Sequence, residues 1–276
     1  MSSINLSVTI SGLGSKFAPI ILQGNYIEEI NKAREIGYKA IELHIRNPKT
    51  IDISDIISVI KSNNLTVSTI GTGQAYVDEK ICFTSMDEGI RNAAVQRIKD
   101  HIDFAALLEA KVIIGTIKGL LPENRNEREI ALERVITCLQ ECADYARNKG
   151  VRLVLEAINR YESNYLNTAE QTVEFIEKVS SRAIGLHLDT FHMNIEEKSI
   201  AETIRRYSSY LEHLHFADSN RCVPGLGHIN FTEILATLLE INYDGYIGIE
   251  ALPLPDGDSA ARQALSYIDA LYSRLI

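Results

Sequence analysis

The feature that most constrains this chain is a regular alternation of short β-branched runs with longer segments of helical period. Eight runs predict strands, and their starts recur about every 35 residues, the length of one strand-helix-strand unit. A chain of 276 residues has room for eight such units. We therefore predict an α/β protein with one (β/α)8 TIM-barrel domain over residues 1–276. The predicted strands are Ile4–Ile10, Ala40–Ile45, Thr66–Ile70, Val112–Gly115, Val151–Glu156, Ile184–Asp189, Leu211–His215 and Tyr246–Glu250.

Helix boundary signals support this alternation. Gly37 and Gly150 predict helix ends before the second and fifth strands, because glycine adopts positive φ at low cost. The second of these helices runs from about residue 126 and is the longest. Asn167 is followed three residues later by Glu170, a capping-box spacing that predicts a helix start just after Asn167. A doubly wound open sheet is the alternative, but no GxGxxG follows the first strand.

Composition and charge exclude some classes of binding partner. The net charge of −9 repels nucleic-acid phosphates and acidic lipids, so we expect neither as a partner. No signal peptide and no apolar run of membrane-spanning length is evident. The four cysteines form no CxxC pair, which fits a reducing compartment. We expect a cytoplasmic protein.

The last four predicted strands each end in a residue type that binds metals. In a TIM barrel the reacting groups lie at the carboxyl ends of the strands. One such residue alone is commonly a solvated or capping group, but four in succession are harder to explain that way. Three carboxylates and one imidazole suit a divalent cation, with Mn²⁺ as first choice and Mg²⁺, Co²⁺ or Zn²⁺ as alternatives. The four residues are Glu156, Asp189, His215 and Glu250.

Two of these strands carry a second histidine on the same face. His187 alternates with Asp189, and His213 alternates with His215, so both pairs can point inward. His213 fits equally well as a packed barrel histidine.

Three segments then carry a family resemblance. They are Leu155–Glu162 (LEAINRYE), Leu188–Glu197 (LDTFHMNIEE) and His213–Arg221 (HLHFADSNR). They resemble the xylose-isomerase-like sugar isomerases and epimerases, in particular the ketose 3-epimerase group. With Ile70–Tyr76 and Ala251–Pro255 included, the chain is similar to the 5-keto-L-gluconate epimerases of inositol catabolism within that group.

The resemblance implies that the four strand-end residues bind the metal and that Glu156 and Glu250 also move the proton. Chemistry gives a separate reason for two bases, because epimerisation beside a ketone removes a proton from one face and returns it to the other. A metal on the ketone and hydroxyl oxygens would stabilise the cis-enediolate between the two steps. The resemblance also places Glu162, His192 and Arg221 around the substrate oxygens; taken alone, these are ordinary loop or cap residues.

Charged residues near the strand ends indicate whether the substrate carries a carboxylate. Arg46 and Lys118 follow strands two and four and can reach the mouth, where either would meet a carboxylate, while Gln74 can add hydrogen bonds. We therefore expect a keto-sugar acid, and the resemblance implies one of the 5-keto-L-gluconate to D-tagaturonate type. A lone arginine after a strand is often only a surface charge.

Several alternatives stay open. A neutral ketose 3-epimerase of the D-tagatose or D-psicose type is the nearest, followed by a one-base isomerase of the hydroxypyruvate type. A non-catalytic sugar-binding module and a multinuclear zinc nuclease are more distant. Similar barrels imply a homo-oligomer that acts on a small-molecule keto-sugar or keto-sugar acid.

Overall fold

The computed structural model describes residues 4–12, 14 and 18–276, and a strand overlaps every segment predicted as one. One further strand, β2, was not predicted because two residues are too few to show an alternating pattern. The strands are β1 (Leu6–Ser11), β2 (Leu22–Gln23), β3 (Ala40–His44), β4 (Thr66–Gly71), β5 (Lys111–Ile114), β6 (Leu153–Glu156), β7 (Ile184–Asp189), β8 (Leu211–Phe216) and β9 (Ile247–Ile249).

Ten α-helices lie in the described part of the chain, most of them between successive strands. Short 3-10 turns follow β3 and β5, over Pro48–Thr50 and Thr116–Lys118. The helices are α1 (Tyr26–Ile36), α2 (Ile53–Ser62), α3 (Gln74–Glu79), α4 (Glu88–Ala106), α5 (Arg125–Lys149), α6 (Ala169–Val179), α7 (Thr190–Glu196), α8 (Ile200–Arg206), α9 (Phe231–Glu240) and α10 (Gly257–Tyr272).

The predicted helix boundaries hold with one correction. Gly37 and Gly150 end α1 and α5 at φ values of 120° and 70°, a region that costs a glycine little. Helix α6, however, has Thr168 as its N-cap and not Asn167, because the Thr168 hydroxyl accepts from the Gln171 amide at 3.2 Å. The Asn167 side chain instead donates to two carbonyls of the preceding loop.

The strands form a closed parallel sheet, which confirms the predicted fold class. Their hydrogen-bonded order is β2-β1-β3-β4-β5-β6-β7-β8-β9, and β1 also pairs with β9. Every pair with a described register is parallel. Parallel strands of this kind are buried on both faces, and they are accordingly rich in Val, Ile and Leu.

The chain packs as two compact units. The first comprises the described residues up to Leu43, then Asp52–Ser68 and Leu188–Ile276. In it β9 is flanked by β1 and β8, with Leu6 opposite Ile247 and His215 opposite Gly248. This register brings the end of β8 next to the end of β9.

The second unit comprises His44–Ile51 and Thr69–His187. Here β5 and β6 pair with Ile114 opposite Leu155, and β6 pairs with β7 with Glu156 opposite His187. Long helices α4 and α5 supply the apolar layer of this unit. Among the described residues, no helix has both the length and the apolar composition needed to cross a bilayer.

Candidate active site

Three of the four residues predicted at strand ends lie close together in the first unit. One potential ligand atom from each of Asp189, His215 and Glu250 lies within 4.8 Å of the others. Asp189 and His215 are buried, and the side chain of Glu250 is 12 % exposed. Two carboxylates and one imidazole therefore converge where little water can solvate them, while Glu156 ends β6 in the second unit.

Asp189 ends β7, and its two carboxylate oxygens have different surroundings. Its Oδ1 accepts a hydrogen bond from the Phe191 amide at 2.7 Å and so caps α7. Its Oδ2 is buried and has no hydrogen-bond partner among the described residues. Burial raises the pKa of Asp189 to about 7; Glu250 adds to this rise, while Arg221 and His215 oppose it. A buried carboxylate oxygen in this setting has the chemistry to bind a cation.

His215 ends the inward face of β8 between two carboxylates. Its Nε2 lies 3.0 Å from Oε2 of Glu42, and its Nδ1 lies 3.6 Å from Oε2 of Glu250. Burial alone would lower the pKa of His215, but the charges of Glu42 and Glu250 outweigh burial and raise this pKa well above its ordinary value. The imidazole of His215 therefore lies where the neighbouring carboxylates favour a positive charge.

Arg221 approaches the same group from the loop after β8. Its guanidinium lies 3.5 Å from Oε2 of Glu250 and 4.6 Å from the centre of the Phe191 ring. The residue adopts a φ of 62°, and its amide donates to the carbonyl of Asp218 at 2.8 Å. A tight loop therefore fixes this cation beside the proposed base.

Glu156 ends β6 in the second unit, where a glycine makes room for it. A Cβ on Gly115 would lie only 2.6 Å from Oε2 of Glu156. Lys118 is fully buried, and its ammonium donates to the carbonyls of Glu156 at 3.3 Å and Gly115 at 3.4 Å. Burial lowers the pKa of Lys118 to about 8, although the charges of Glu156 and Glu162 act in the opposite direction.

The remaining predicted residues differ in burial. Glu162 is exposed and accepts from the side chain of Asn159 at 3.1 Å. His192 is buried within α7, and Gln74 is half-buried at the start of α3. The side chain of Arg46 is 56 % exposed and pairs with Asp78 at 3.2 Å.

Sequence reasoning missed Glu42, which lies in the middle of β3. It is fully buried, and its Oε2 also lies 2.9 Å from Nε2 of His213. The pattern Ala40-Ile41-Glu42-Leu43-His44 carried a usable signal, because Glu42 and His44 alternate with apolar residues and so share one face of the strand. Attention to strand ends alone passed over Glu42.

Known proteins similar to this chain include two epimerases. A D-psicose 3-epimerase of Ruminiclostridium cellulolyticum is 32 % identical over 235 residues, which are 83 % of this chain and 78 % of the relative. A 3-dehydro-D-guloside 4-epimerase of Escherichia coli is 26 % identical over 88 % of this chain and 94 % of its own length. Both relatives are named as sugar epimerases.

Solved structures agree in fold. A structure of L-ribulose 3-epimerase superposes with a TM-score of 0.81 at 26 % identity, covering 97 % of this chain and 95 % of the other. A structure of D-psicose 3-epimerase with D-tagatose from Clostridium cellulolyticum H10 gives a TM-score of 0.80 at 25 % identity over 96 % of this chain and 99 % of the other. With residues 30–271 matching its family profile, the chain belongs to the xylose isomerase-like TIM barrels.

Proposed function

We propose that this protein is a divalent-metal-dependent epimerase that inverts the carbon beside the ketone of a keto-sugar. The observation that carries the proposal is the convergence of Asp189, His215 and Glu250, each with a potential ligand atom within 4.8 Å of the others. Glu156, at the end of β6, is the fourth proposed ligand. The sugar epimerases among the relatives support the same reaction class.

The donor set fits a dication. Carboxylate oxygens only accept hydrogen bonds, so several of them cannot neutralise one another in a buried space. The buried Oδ2 of Asp189 and the raised pKa of that carboxyl are the effects expected where a positive charge belongs. Oxygen-rich sets of this kind suit Mn²⁺, our first choice, and also Mg²⁺ or Co²⁺, while Zn²⁺ accepts the same ligand types.

Glu156 and Glu250 are the proposed bases. Glu156 ends β6 and Glu250 directly follows β9, the fifth and eighth of the predicted strands, so each lies at the carboxyl end of its strand, where TIM barrels carry their reacting groups. One glutamate removes the proton from the carbon beside the ketone, and the other returns a proton to the opposite face. A bound dication would act as a Lewis acid toward the ketone oxygen and the neighbouring hydroxyl.

The surrounding polar residues would hold the substrate oxygens. Arg221 is positioned beside Glu250, where its guanidinium can donate to a carbonyl or hydroxyl oxygen. We assign similar contacts to Glu162 and His192. Lys118 is enclosed by the main chain around Glu156, which favours a role in fixing that segment.

Two substrate classes fit this site. The first is a keto-sugar acid of the 5-keto-L-gluconate to D-tagaturonate type, with Arg46, Lys118 or Gln74 at its carboxylate. The second is a neutral ketose, and two observations favour it. Arg46 already pairs with Asp78 at the surface, and the ammonium of Lys118 is already bonded to two carbonyls. The neutral substrates named for the 3-epimerase relatives point the same way.

The test is a product screen of ketoses and keto-sugar acids in D₂O with added Mn²⁺. A two-base epimerase incorporates one solvent deuteron at the inverted carbon and leaves the ketone in place. An aldose product would indicate a one-base isomerase instead. Binding without exchange of any C–H proton would indicate a sugar-binding module.

Substrate charge is tested with Arg46→Ala. If Arg46 recognises a carboxylate, kcat/KM for 5-keto-gluconate falls at least tenfold more than kcat/KM for fructose or tagatose, because a charge-assisted hydrogen bond contributes about 1.5–3 kcal/mol. Equal kcat/KM values for variant and wild type on both substrate classes would exclude recognition of a carboxylate by Arg46. Asp78→Asn is the matched control, because it breaks the same surface ion pair without removing the cation.

The proposal includes a reducing cytoplasmic setting and a homo-oligomeric state. All four cysteines are free, which supports the first part. Size-exclusion chromatography with light scattering tests the second.

A further inference from the structure

One buried carboxylate oxygen contacts two histidines. Oε2 of Glu42 lies 2.9 Å from Nε2 of His213 and 3.0 Å from Nε2 of His215. All three side chains are at most 1 % exposed, and the two imidazole rings meet edge to face at an angle of 83°. These three residues form what we call the carboxylate-histidine cluster.

The chemistry of the carboxylate assigns the protons. An ionised carboxylate can only accept hydrogen bonds, so each Nε2 at these distances carries a hydrogen and donates it. For His215 this leaves Nδ1 as the nitrogen directed at the proposed metal site, where it lies 3.6 Å from Oε2 of Glu250. That separation is too long for a good hydrogen bond.

We propose that Glu42 is a positioning residue that holds His215 with its hydrogen on Nε2, so that Nδ1 is the ligand offered to the cation. This inference rests on the metal site of the proposed function and adds a residue to it. A carboxylate behind a ligating histidine fixes both the tautomer and the plane of the ring. His213 has a supporting part, because its own hydrogen bond holds the same Glu42 oxygen in place.

The neighbouring strand is shaped to accept this arrangement. Gly248 lies opposite His215 in the register of β8 and β9. A Cβ at that position would lie 2.8 Å from Cδ2 of His215 and 3.1 Å from Oε2 of Glu42. A side chain on residue 248 would therefore press against the hydrogen bond between His215 and Glu42. Only glycine leaves the imidazole and the carboxylate where they are.

The tautomer can be read in the wild-type protein. Protein containing ¹⁵N-labelled histidine is loaded with Zn²⁺, which is diamagnetic, and two-bond ¹H–¹⁵N spectra are assigned with the variant His213→Gln. We expect a protonated Nε2 and a cation-bound Nδ1 for His215. The reverse assignment, with the hydrogen on Nδ1, would overturn the inference.

Metal affinity gives a second readout that does not depend on activity. Metal-free protein is titrated with Mn²⁺ and free Mn²⁺ is followed by electron paramagnetic resonance. Glu42→Gln should weaken binding about 10- to 100-fold, as loss of an outer carboxylate does at other metal sites. Gly248→Ala, which removes no donor or acceptor, should weaken it as well.

Glu29→Gln is the matched control. Glu29 is also a buried carboxylate of the first unit, but it pairs with Lys32 on α1, and its loss should leave Mn²⁺ affinity unchanged. Wild-type affinity in folded Glu42→Gln would contradict the inference. If that variant does not fold, the two-bond ¹H–¹⁵N spectrum of the wild-type protein decides which nitrogen of His215 carries the hydrogen.

The two proposals fail in different ways. A wild-type protein that binds no Mn²⁺ and exchanges no C–H proton would overturn the proposed function and this inference together. A wild-type protein that binds Mn²⁺ and epimerises a keto-sugar, but has the hydrogen of His215 on Nδ1, would overturn this inference alone.

Discussion

At the scale of single residues, the two proposed bases have different surroundings. Glu250 has the guanidinium of Arg221 at 3.5 Å and the imidazole of His215 at 3.6 Å. Glu156 has Lys118 bonded to its main-chain carbonyl and Gly115 against its carboxylate. The carboxylate of Glu250 therefore has two nitrogen-bearing side chains beside it, whereas that of Glu156 lies against a glycine that leaves room for it.

We expect Glu156→Gln and Glu250→Gln each to lower kcat by about 10²–10⁴-fold, since an amide cannot take up the proton that a general base removes. Epimer formation and deuterium incorporation are measured together with the melting temperature. A folded variant with wild-type turnover would rule out that residue as a base. Glu29→Gln, a carboxylate away from the site, should leave kcat unchanged.

The strand-end residues were predictable because position in the chain dictates position in the barrel. Glu156, Asp189 and His215 follow directly from where apolar strands stop. Glu42 was not found, because it lies inside a strand and not at its end; its alternation with apolar residues indicates only an inward face, and the two histidines that it contacts are distant in sequence. The ion pair of Arg46 with Asp78 was equally hidden, since it depends on where α3 packs.

At the scale of elements, the loop between β8 and α9 is organised by one carboxylate. Asp218 is fully buried and accepts from the amides of Ser219, Gly225 and Ile229 at 2.8, 2.8 and 3.1 Å. Its carbonyl also accepts from the amide of Arg221. The conformation that holds Arg221 beside Glu250 therefore depends on Asp218.

We expect Asp218→Asn to lower the free energy of unfolding by about 1–3 kcal/mol, because an amide nitrogen would face backbone donors. It should also lower kcat/KM, because Arg221 loses its fixed position. Chemical denaturation and steady-state kinetics check the two effects. Asp52→Asn, at the N-cap of α2, is the control that should leave kcat/KM unchanged. Unaltered kinetics in Asp218→Asn would show that Arg221 is held by other contacts.

Helix α4 carries a buried histidine that makes stability depend on pH. The ring nitrogens of His101 lie 2.7 Å from the carbonyl of Arg97 and 2.6 Å from that of Ile45. Burial lowers the pKa of His101, and these carbonyl contacts oppose the shift without reversing it. The unfolded chain therefore binds this proton more readily than the folded one.

It follows that the stability due to neutral His101 is present above the ordinary histidine pKa of about 6.5 and is lost as the pH falls through the lower folded value. Between pH 7.5 and 5.5, the urea midpoint of wild type should drop more than that of His101→Gln. His228→Gln, which removes an exposed histidine, should behave as wild type. An identical drop in all three proteins would contradict the prediction.

At the scale of the whole molecule, removal of the proposed cation should affect both turnover and stability. Treatment with EDTA should abolish epimerisation and lower the melting temperature, since buried carboxylates then repel one another. Mn²⁺ at a hundredfold excess over its Kd should restore about 3 kcal/mol of stability. Full turnover by chelated, metal-free protein would refute the metal assignment.

The fold of the whole chain was the most predictable level. A repeat of strand and helix needs only local patterns, and eight repeats leave few arrangements that bury every strand. The side chains within the barrel were less predictable, because inward-facing residues from distant strands meet only after closure. The pair formed by Glu42 and His215 is an example.

The pairing of the first strand with the last also has a consequence for synthesis and folding. Thr9 donates through its hydroxyl to the carbonyl of Ile249, and the two residues are 240 positions apart. Glu250 directly follows that strand, so a growing chain contains the other proposed ligands well before it contains Glu250. Contacts across such a distance in sequence form slowly. Capture of the proposed cation should therefore be a late event in folding, reporting that the ring of strands is complete.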